Sequence, residues 1–354
     1  MIGWSTWRAR FVGHTGPNML KDLRPGLHPR RLARLMCDAI ERCQLDLSGS
    51  VILTEAASGA YVVTPVLAAM AKAEYVYALT RSTPYGTVEQ VTAQTLELAA
   101  SVGVQDRIEV ITQKSQDVVA QADIITNSGH LRPIDAEMIG WMKPTALVSL
   151  MYEAWELRPD DVDLPACRRR GILVAGTDER HPAVDVFSFL GVMAAKLLMD
   201  AGVAVYAGRV LLLCDNQFGP FIERGLQRAG ANVDTLESLS AAAGARTYDA
   251  MLVALRPRPE PVLSAADAVT IANRWPGAVV AQFWGDIDRA ALAAVDAPVW
   301  PPEASPPGHM GILPSDVGPE PVVRLQAGGF KAAEVLSHHR NRLDQQCLQF
   351  VQVI

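Results

Sequence analysis

The sequence has few cysteines and no close grouping of them. Its five cysteines are spread along the chain without a Cys-x-x-Cys pair, at Cys37, Cys43, Cys167, Cys214 and Cys347. A disulfide framework needs an even set of cysteines, and a structural zinc site needs ligands at close spacing. The sequence therefore predicts no metal site, and it favours a reducing, cytoplasmic location.

The sequence also lacks a long basic run and a long apolar run. The net charge is −6 at pH 7, whereas nucleic-acid binding needs clustered Lys and Arg. The most apolar stretch, residues 186–199, lies between Asp185 and Asp200 and is shorter than the roughly 20 residues of a bilayer span. We therefore expect a small-molecule substrate, and neither nucleic acid nor a membrane as a partner.

One strand-to-helix pattern occurs twice. Residues 49–59 and 208–219 each contain a short apolar run that ends in an acid, Glu55 or Asp215, with a glycine four residues later. Apolar runs and helical patterns alternate after both, which is typical of parallel sheets covered by helices. A chain of 354 residues is long enough for two domains. The sequence predicts an α/β fold of two Rossmann-like doubly wound parallel-sheet domains with a ligand cleft between them.

The predicted domain boundaries follow changes in this pattern. In chain order they are an N-terminal arm and helix at 1–48, a first Rossmann-like domain at 49–183, an interdomain helix at 184–207, a second Rossmann-like domain at 208–325 with a proline-rich loop at 297–321, and a C-terminal region at 326–354 whose helix, 330–342, packs back. We expect the first domain to bind a nucleotide. The apolar interdomain helix is suited to pairing two copies, so we expect a homodimer.

The turn after the first strand is a candidate nucleotide site. The backbone amides of Ser58, Gly59, Ala60 and Tyr61 stand at the start of a helical pattern, where free N–H groups bind phosphate. Glu55, at the end of the strand, favours a ribose or an ammonium group over a phosphate. The alternative is a plain strand-to-helix turn in which Ser58 caps the helix.

The end of the second strand carries residues that suit the 2′-phosphate of NADP. Folds that prefer NAD place an acid here for the ribose hydroxyls, whereas this sequence has Thr80, Arg81 and Ser82. The sequence therefore favours NADP over NAD. A solvated arginine is the alternative.

The ends of the fourth and fifth strands supply further candidates. The small residues Asn127, Ser128 and Gly129 would admit a nicotinamide ribose, and His130 follows them as a candidate catalytic group. A surface turn is the alternative. Glu153 is a second acid-base candidate, because a partly buried carboxylate can act as acid or base. Its alternative is an ion pair at the hinge.

Three later segments resemble the D-isomer-specific 2-hydroxyacid dehydrogenases and their two-domain, formate/glycerate dehydrogenase-like fold. They are residues 158–177 with the apolar helix that follows, residues 277–292, and the loop Pro307-Gly-His-Met-Gly311. Residues 122–151 also resemble S-adenosylhomocysteine hydrolase. The resemblance implies a nicotinamide cofactor, NADP or NAD, and an acid-base histidine at His309.

The second domain departs from that family at two places. The family's Gly-x-Gly-x-x-Gly turn is replaced by Cys214-Asp-Asn-Gln-Phe-Gly-Pro-Phe221, and its substrate-binding arginine by Trp284. A tryptophan cannot bind a carboxylate through two parallel hydrogen bonds, as an arginine does. We therefore expect the cofactor on the first domain, unlike the family's usual placement.

Three functions follow from these observations. The first is an NAD(P)-dependent oxidoreductase that acts on a small polar substrate, with His309 and Glu153 as acid-base groups from opposite walls of the cleft. The second is a transferase or hydrolase that uses S-adenosylmethionine or S-adenosylhomocysteine, which Glu55 favours and Arg81 disfavours. The third is a non-catalytic binding protein derived from a dehydrogenase.

Overall fold

The computed structural model describes residues 24–242, 246–338 and 349–354. The chain forms two compact units. The first consists of two segments, the chain up to Asp178 and the chain from Val323 onward, and the second is Glu179–Val322. Most of the predicted N-terminal arm, Cys347 and the predicted helix end at residue 342 lie outside the described residues. The domain boundaries and the cleft expected from the sequence stay predictions.

The first unit has a seven-stranded sheet covered by helices. Its strands are β1 (Val51–Glu55), β2 (Tyr75–Leu79), β3 (Ile108–Ile111), β4 (Ile124–Thr126), β5 (Leu147–Ser149), β6 (Leu173–Thr177) and, near the end of the chain, β12 (Val351–Val353). Its helices are α1 (Pro29–Cys43), α2 (Val63–Met70), α3 (Val88–Ser101), α4 (Gln116–Gln121), α5 (Ala136–Trp141) and α6 (Leu164–Arg170). The last helix, α11 (Pro319–His338), enters this unit at Val323.

The strand order of this sheet is β3-β2-β1-β4-β5-β6-β12. Neighbouring strands are parallel except for β12, which runs antiparallel to β6. The first six strands therefore have the 3-2-1-4-5-6 order of dinucleotide-binding folds. Because the order reverses between β1 and β4, the carboxyl ends of these strands flank the crevice where such folds bind ligands.

Side-chain caps fix the starts of α3, α4, α5 and α6. Thr87 and Gln90 form a reciprocal capping box at α3, and Ser115, Asp135 and Asp163 each accept the N–H of the residue three positions later. Such polar residues satisfy N–H groups that have no partner in a first helical turn. The caps of α3 and α5 also anchor the far ends of the loops that leave β2 and β4.

The second unit has a five-stranded parallel sheet. Its strands are β7 (Arg209–Leu213), β8 (Asn232–Leu236), β9 (Ala250–Ala254), β10 (Val279–Trp284) and β11 (Val299–Trp300), and its helices are α7 (Leu190–Asp200), α8 (Gly219–Arg228), α9 (Ala265–Arg274) and α10 (Arg289–Ala294). The order β8-β7-β9-β10-β11 is the second common doubly wound order, 2-1-3-4-5. Val210 and Leu212 of β7 lie in one buried apolar cluster, and Leu211 and Leu213 lie in another. Both faces of this sheet are therefore covered.

The predicted fold class is confirmed, since both units contain doubly wound, Rossmann-like sheets. The last helix begins at Pro319 rather than at Phe330, so the prediction of a loop as far as residue 321 is wrong. Prolines are compatible with the first turn of a helix, whose N–H groups have no partner there. Pro319 and Pro321 therefore open the helix instead of marking a loop.

Helix α7 contains most of the apolar stretch that the sequence places between the domains.

Within the described ranges, no helix combines the length and the apolar character that a membrane span requires. No group of three or more His, Cys, Asp or Glu side chains in those same ranges is arranged to hold a metal ion.

Candidate functional site

The candidate site lies at the carboxyl ends of β1, β2 and β4 in the first unit. Glu55 is the last residue of β1, and its carboxyl group is almost fully buried. One oxygen, Oε2, accepts the backbone N–H of His130 at 3.1 Å, and the N–H of Gly129 also points to this carboxyl group. Glu55 thus joins the end of β1 to the loop after β4, across the point where the strand order reverses.

Glu55 is held in an environment that opposes its ionisation. Burial raises the pKa of the Glu55 carboxyl group, although the N–H groups of His130 and Gly129 and the charges of Arg132 and Arg81 lower it in part. The carboxyl group already accepts two backbone hydrogen bonds from the β4 loop. Its first role is therefore to hold that loop in place.

Three buried polar atoms at the same edge have no hydrogen-bond partner within the described residues. They are Oγ1 of Thr80, Nδ2 of Asn127 and Nδ1 of His130. Leaving such a group unpaired costs about 1 to 3 kcal/mol. All three lie at the ends of β2 and β4, where a polar ligand or ordered water can supply the missing partners.

The environment of Asn127 fixes which end of its amide is unpaired. Asn127 is 1% exposed, and its Oδ1 accepts the backbone N–H of Met151 at 2.9 Å. The amide nitrogen is therefore the end without a partner, and it carries two hydrogens. Asn127 offers hydrogen-bond donors to a ligand.

His130 is partly buried beside a positive charge. Burial, and then the charge of Arg81, lower the pKa of the His130 imidazole below its ordinary value. The ring is therefore neutral at neutral pH. A neutral imidazole with an unpaired ring nitrogen can accept a proton from a bound substrate.

A row of three hydroxyl groups crosses from β1 to β4 beneath this edge. Oγ1 of Thr54 lies 2.8 Å from Oγ1 of Thr126, which lies 2.7 Å from Oγ of Ser128. Thr54 and Thr126 are fully buried, and Ser128 is nearly so. The sequence reasoning missed Thr54 and Thr126. The signal for them is a polar residue near the end of each of two apolar strands.

The turn after β1 differs from the predicted one. Ser58 precedes a short 3-10 helix, Gly59–Val62, and its hydroxyl makes no capping hydrogen bond, so the capping interpretation is wrong. Gly59 has a φ angle of 65°, a conformation that glycine adopts without strain. Ala60 is buried and Tyr61 is half-buried. This turn therefore presents backbone amides and a serine hydroxyl that does not cap, rather than a regular α-helix start.

The end of β2 places one positive charge at the site. Arg81 is exposed, and its charge acts on both Glu55 and His130. Ser82 accepts the N–H of Val88 at 3.3 Å, so its oxygen is used by the turn that leads into α3. Arg81 supplies the positive charge of this predicted group, while the hydroxyl groups of Thr80 and Ser82 still have hydrogens to donate.

Glu153 is placed away from solvent at the start of a short 3-10 turn. Its Oε2 accepts the indole N–H of Trp155, and the backbone N–H of Glu156 donates to the backbone carbonyl oxygen of Glu153 at 3.0 Å. Glu156 in turn accepts the N–H of Glu153 at 3.2 Å. Glu153 is fully buried, and its predicted catalytic role stays a prediction.

Glu156 is expected to make the protein less stable as the pH rises. Burial raises the pKa of its carboxyl group from 4.5 to about 7, and the Glu153 charge adds to this. An acid with a raised pKa binds its proton more tightly in the folded state, so stability falls between these two pH values. In urea unfolding, we expect the free energy of unfolding to fall by about 1 to 3 kcal/mol as the pH rises through this interval. Glu156→Gln should remove this fall. Glu74→Gln, at an exposed position, is the control. If Glu156→Gln leaves the pH dependence of stability unchanged, the assignment to Glu156 is contradicted.

The corresponding turn of the second unit is filled by its own side chains. Asp215 accepts the N–H of Arg256 and a guanidinium N–H of Arg258, both at 2.9 Å. Asn216 donates to the carbonyl oxygen of Ala254 at 2.6 Å. Burial raises the pKa of Asp215, but these hydrogen bonds outweigh it and leave the pKa below its usual range. These contacts join the turn after β7 to the residues that end and follow β9.

Trp284 and His309 lie together in the second unit. The indole N–H of Trp284 donates to the carbonyl oxygen of Gly308 at 3.2 Å, and the N–H of Gly308 donates to Asp286 at 3.1 Å. Nδ1 of His309 lies 3.1 Å from the carbonyl oxygen of Pro307. Trp284 therefore holds the histidine loop at the position that the resemblance gives to a substrate-binding arginine.

Comparison with known proteins gives a likeness of fold. No protein-family model and no curated protein matches the sequence. Among solved structures, a dipicolinate synthase from Bacillus halodurans has a TM-score of 0.52 at 12% identity, over 80% of this chain and 96% of that chain. The dipicolinate synthase from Bacillus subtilis has a TM-score of 0.53 at 10% identity, over 84% and 100%. NAD-dependent formate dehydrogenase from Staphylococcus aureus, in complex with NAD, has a TM-score of 0.44 at 13% identity, over 86% and 99%.

The likeness to the two dipicolinate synthases covers most of both chains in each case. The likeness shows the fold alone, and it agrees with the predicted α/β fold of two doubly wound units. At these identities the likeness carries no residue roles, so the chemistry has to come from the site itself.

Proposed function

We propose that the protein is a nicotinamide-dependent oxidoreductase whose cofactor binds at the carboxyl edge of the first unit's sheet. The observation that carries this proposal is the set of unpaired buried atoms on Thr80, Asn127 and His130. They lie where the 3-2-1-4-5-6 strand order reverses, and dinucleotides bind at such reversals. The filled turn of the second unit supports the same placement.

The residues of this edge suit different parts of a dinucleotide. Thr80 and Arg81 follow β2, where dinucleotide folds hold the adenosine ribose, so Arg81 would meet a 2′-phosphate. The amides of Ser58 and Gly59 would meet the phosphates between the two halves. Asn127, across the reversal on β4, would then face the nicotinamide half.

The bound nicotinamide would supply or accept the hydride, and the protein would supply orientation and a proton route. His130 is the proton acceptor in this proposal, because its neutral ring has an unpaired nitrogen at the same edge. Glu55 holds the loop that carries His130. His309, in the second unit, stays the alternative acid-base group, with a small polar molecule as the substrate and a homodimer as the expected assembly.

Arg81→Asp tests the cofactor assignment. We expect it to lower the affinity for NADPH by about 10- to 100-fold, because a charge-assisted hydrogen bond to the 2′-phosphate is lost. Affinity for NADH should change by less than about threefold on the same reasoning. Calorimetric titration measures both. The control is Arg34→Asp, which makes the same charge change on the exposed face of α1; equal losses for the two cofactors contradict the assignment.

One observation favours a second candidate function. The buried carboxyl group of Glu55 stands at the end of β1, where an acid suits a ribose hydroxyl or an ammonium group better than a phosphate. An S-adenosylmethionine-dependent transferase, or a hydrolase of S-adenosylhomocysteine, would place such groups there. Titration of the purified chain with NADPH, NADH and both adenosyl compounds separates the two functions, since each predicts tight binding of only one ligand class.

A further inference from the structure

The three hydroxyl groups of Thr54, Thr126 and Ser128 have one hydrogen more than their contacts use. Each hydroxyl carries one hydrogen, and each of the two oxygen-to-oxygen contacts uses one. One hydrogen of the row therefore needs an acceptor outside it. The position of that hydrogen depends on the direction in which the row donates.

Burial decides the direction. Thr54 and Thr126 have no exposed surface, and among the described residues their hydroxyl groups contact only members of the row. A spare hydrogen on either of them would be buried without an acceptor, which is unfavourable. The favourable arrangement has Thr54 donate to Thr126 and Thr126 donate to Ser128. The spare hydrogen then lies on Ser128, the member of the row that has exposed surface, 6%.

We propose that Ser128 and Asn127 together donate hydrogen bonds to an uncharged carbonyl-type oxygen of the ligand. Ser128 supplies the hydrogen that the row directs outward, and Asn127, its neighbour in sequence, supplies the unpaired amide N–H. Both donors are uncharged, and a carbonyl oxygen has two lone pairs with which to accept both hydrogen bonds. This inference rests on the proposed function, in which the carboxamide of the nicotinamide provides such an oxygen.

The test compares NAD and NADP with their thionicotinamide analogues, in which sulfur replaces the carboxamide oxygen. Sulfur is the weaker acceptor, so we expect the wild-type protein to bind the natural cofactor more tightly. Ser128→Ala should bind it about tenfold more weakly and should lose this preference. Calorimetric titration gives the affinities, and thermal unfolding without ligand checks that each variant is folded.

Ser149→Ala is the matched control. Ser149 ends the neighbouring strand β5, and its hydroxyl already donates to the carbonyl oxygen of Gly329 at 2.6 Å. Its loss should lower the thermal midpoint and leave both affinities unchanged. Thr126→Val keeps the Ser128 hydroxyl but removes the group that orients it, so we expect a smaller loss of about two- to threefold.

The outcomes separate this inference from the proposed function. If the wild type binds a nicotinamide cofactor and Ser128→Ala binds it equally well, or keeps the preference over the analogue, the inference is overturned and the function stands. If the wild type binds only S-adenosylhomocysteine, the proposed function fails and so does the carbonyl assignment. If none of the ligands binds, both fail.

Discussion

Replacing Gly191 by valine is expected to unfold the second unit. Gly191 of α7 and Gly225 of α8 bring the backbones of two helices into contact, and a Cβ atom on Gly191 would lie 2.5 Å from Cα of Gly225 and 2.9 Å from the carbonyl oxygen of Phe221. These are backbone atoms, which cannot turn aside as a flexible side chain can. We expect a loss of about 3 kcal/mol or more, at the upper end of the cost of overpacking.

A graded pair of variants makes this result specific. Gly191→Ala adds a single methyl group and should cost about 1 to 3 kcal/mol in urea unfolding. Gly140→Ala makes the same change in α5, where nothing lies within 4 Å of the new Cβ, so it should stabilise by about 0.5 to 1 kcal/mol. If Gly191→Ala is as stable as Gly140→Ala, the two helices do not pack through their glycines.

Replacing His130 by asparagine is expected to lower turnover by about 100- to 10,000-fold, the usual contribution of a positioned acid-base group. Asparagine keeps the backbone N–H that Glu55 binds, but it cannot accept a proton from the substrate. Cofactor affinity should stay within about twofold, because the donors of Asn127 and Ser128 are retained. Steady-state kinetics, with calorimetric titration of the cofactor, separates the two effects.

The pH profile gives an independent reading of the same residue. Because burial and Arg81 lower the pKa of His130, its neutral form persists below pH 6.5, and kcat/KM for substrate oxidation should stay high into that range. His309→Asn is the matched comparison. A large loss in His309→Asn with none in His130→Asn would assign the proton transfer to the second unit and contradict the role of His130.

The fold was largely predictable because both sheets consist of short apolar strands that alternate with helical patterns. The positions of β1, β2 and β4 follow from this alternation, and so do Glu55 and Asn127 at their carboxyl ends. The strand orders were not predictable from one sequence, since strand pairing depends on contacts between residues far apart in the chain. The same strand-to-helix pattern stands at the start of two sheets with different orders.

The details of the site were less predictable than its position. Sequence spacing places Ser58 where a cap is common, but only the backbone geometry shows that the turn is a 3-10 helix without a capping bond. The unpaired atom of His130 and the row from Thr54 to Ser128 depend on distances across strands. Strand β12 has only three residues and no pattern of its own, because β6 provides its pairing.

The return of the chain to the first unit has a consequence for synthesis. Val323 and the residues after it supply α11, whose Gly329 accepts a hydrogen bond from Ser149, and β12, which pairs with β6. The second unit is therefore an insertion, and all of it leaves the ribosome before the first unit has its last helix and strand. Since domains generally fold as units during translation, the domain that is begun first is finished last. A nascent chain that ends shortly after Val322 would carry a complete second unit beside a first unit with an open sheet edge.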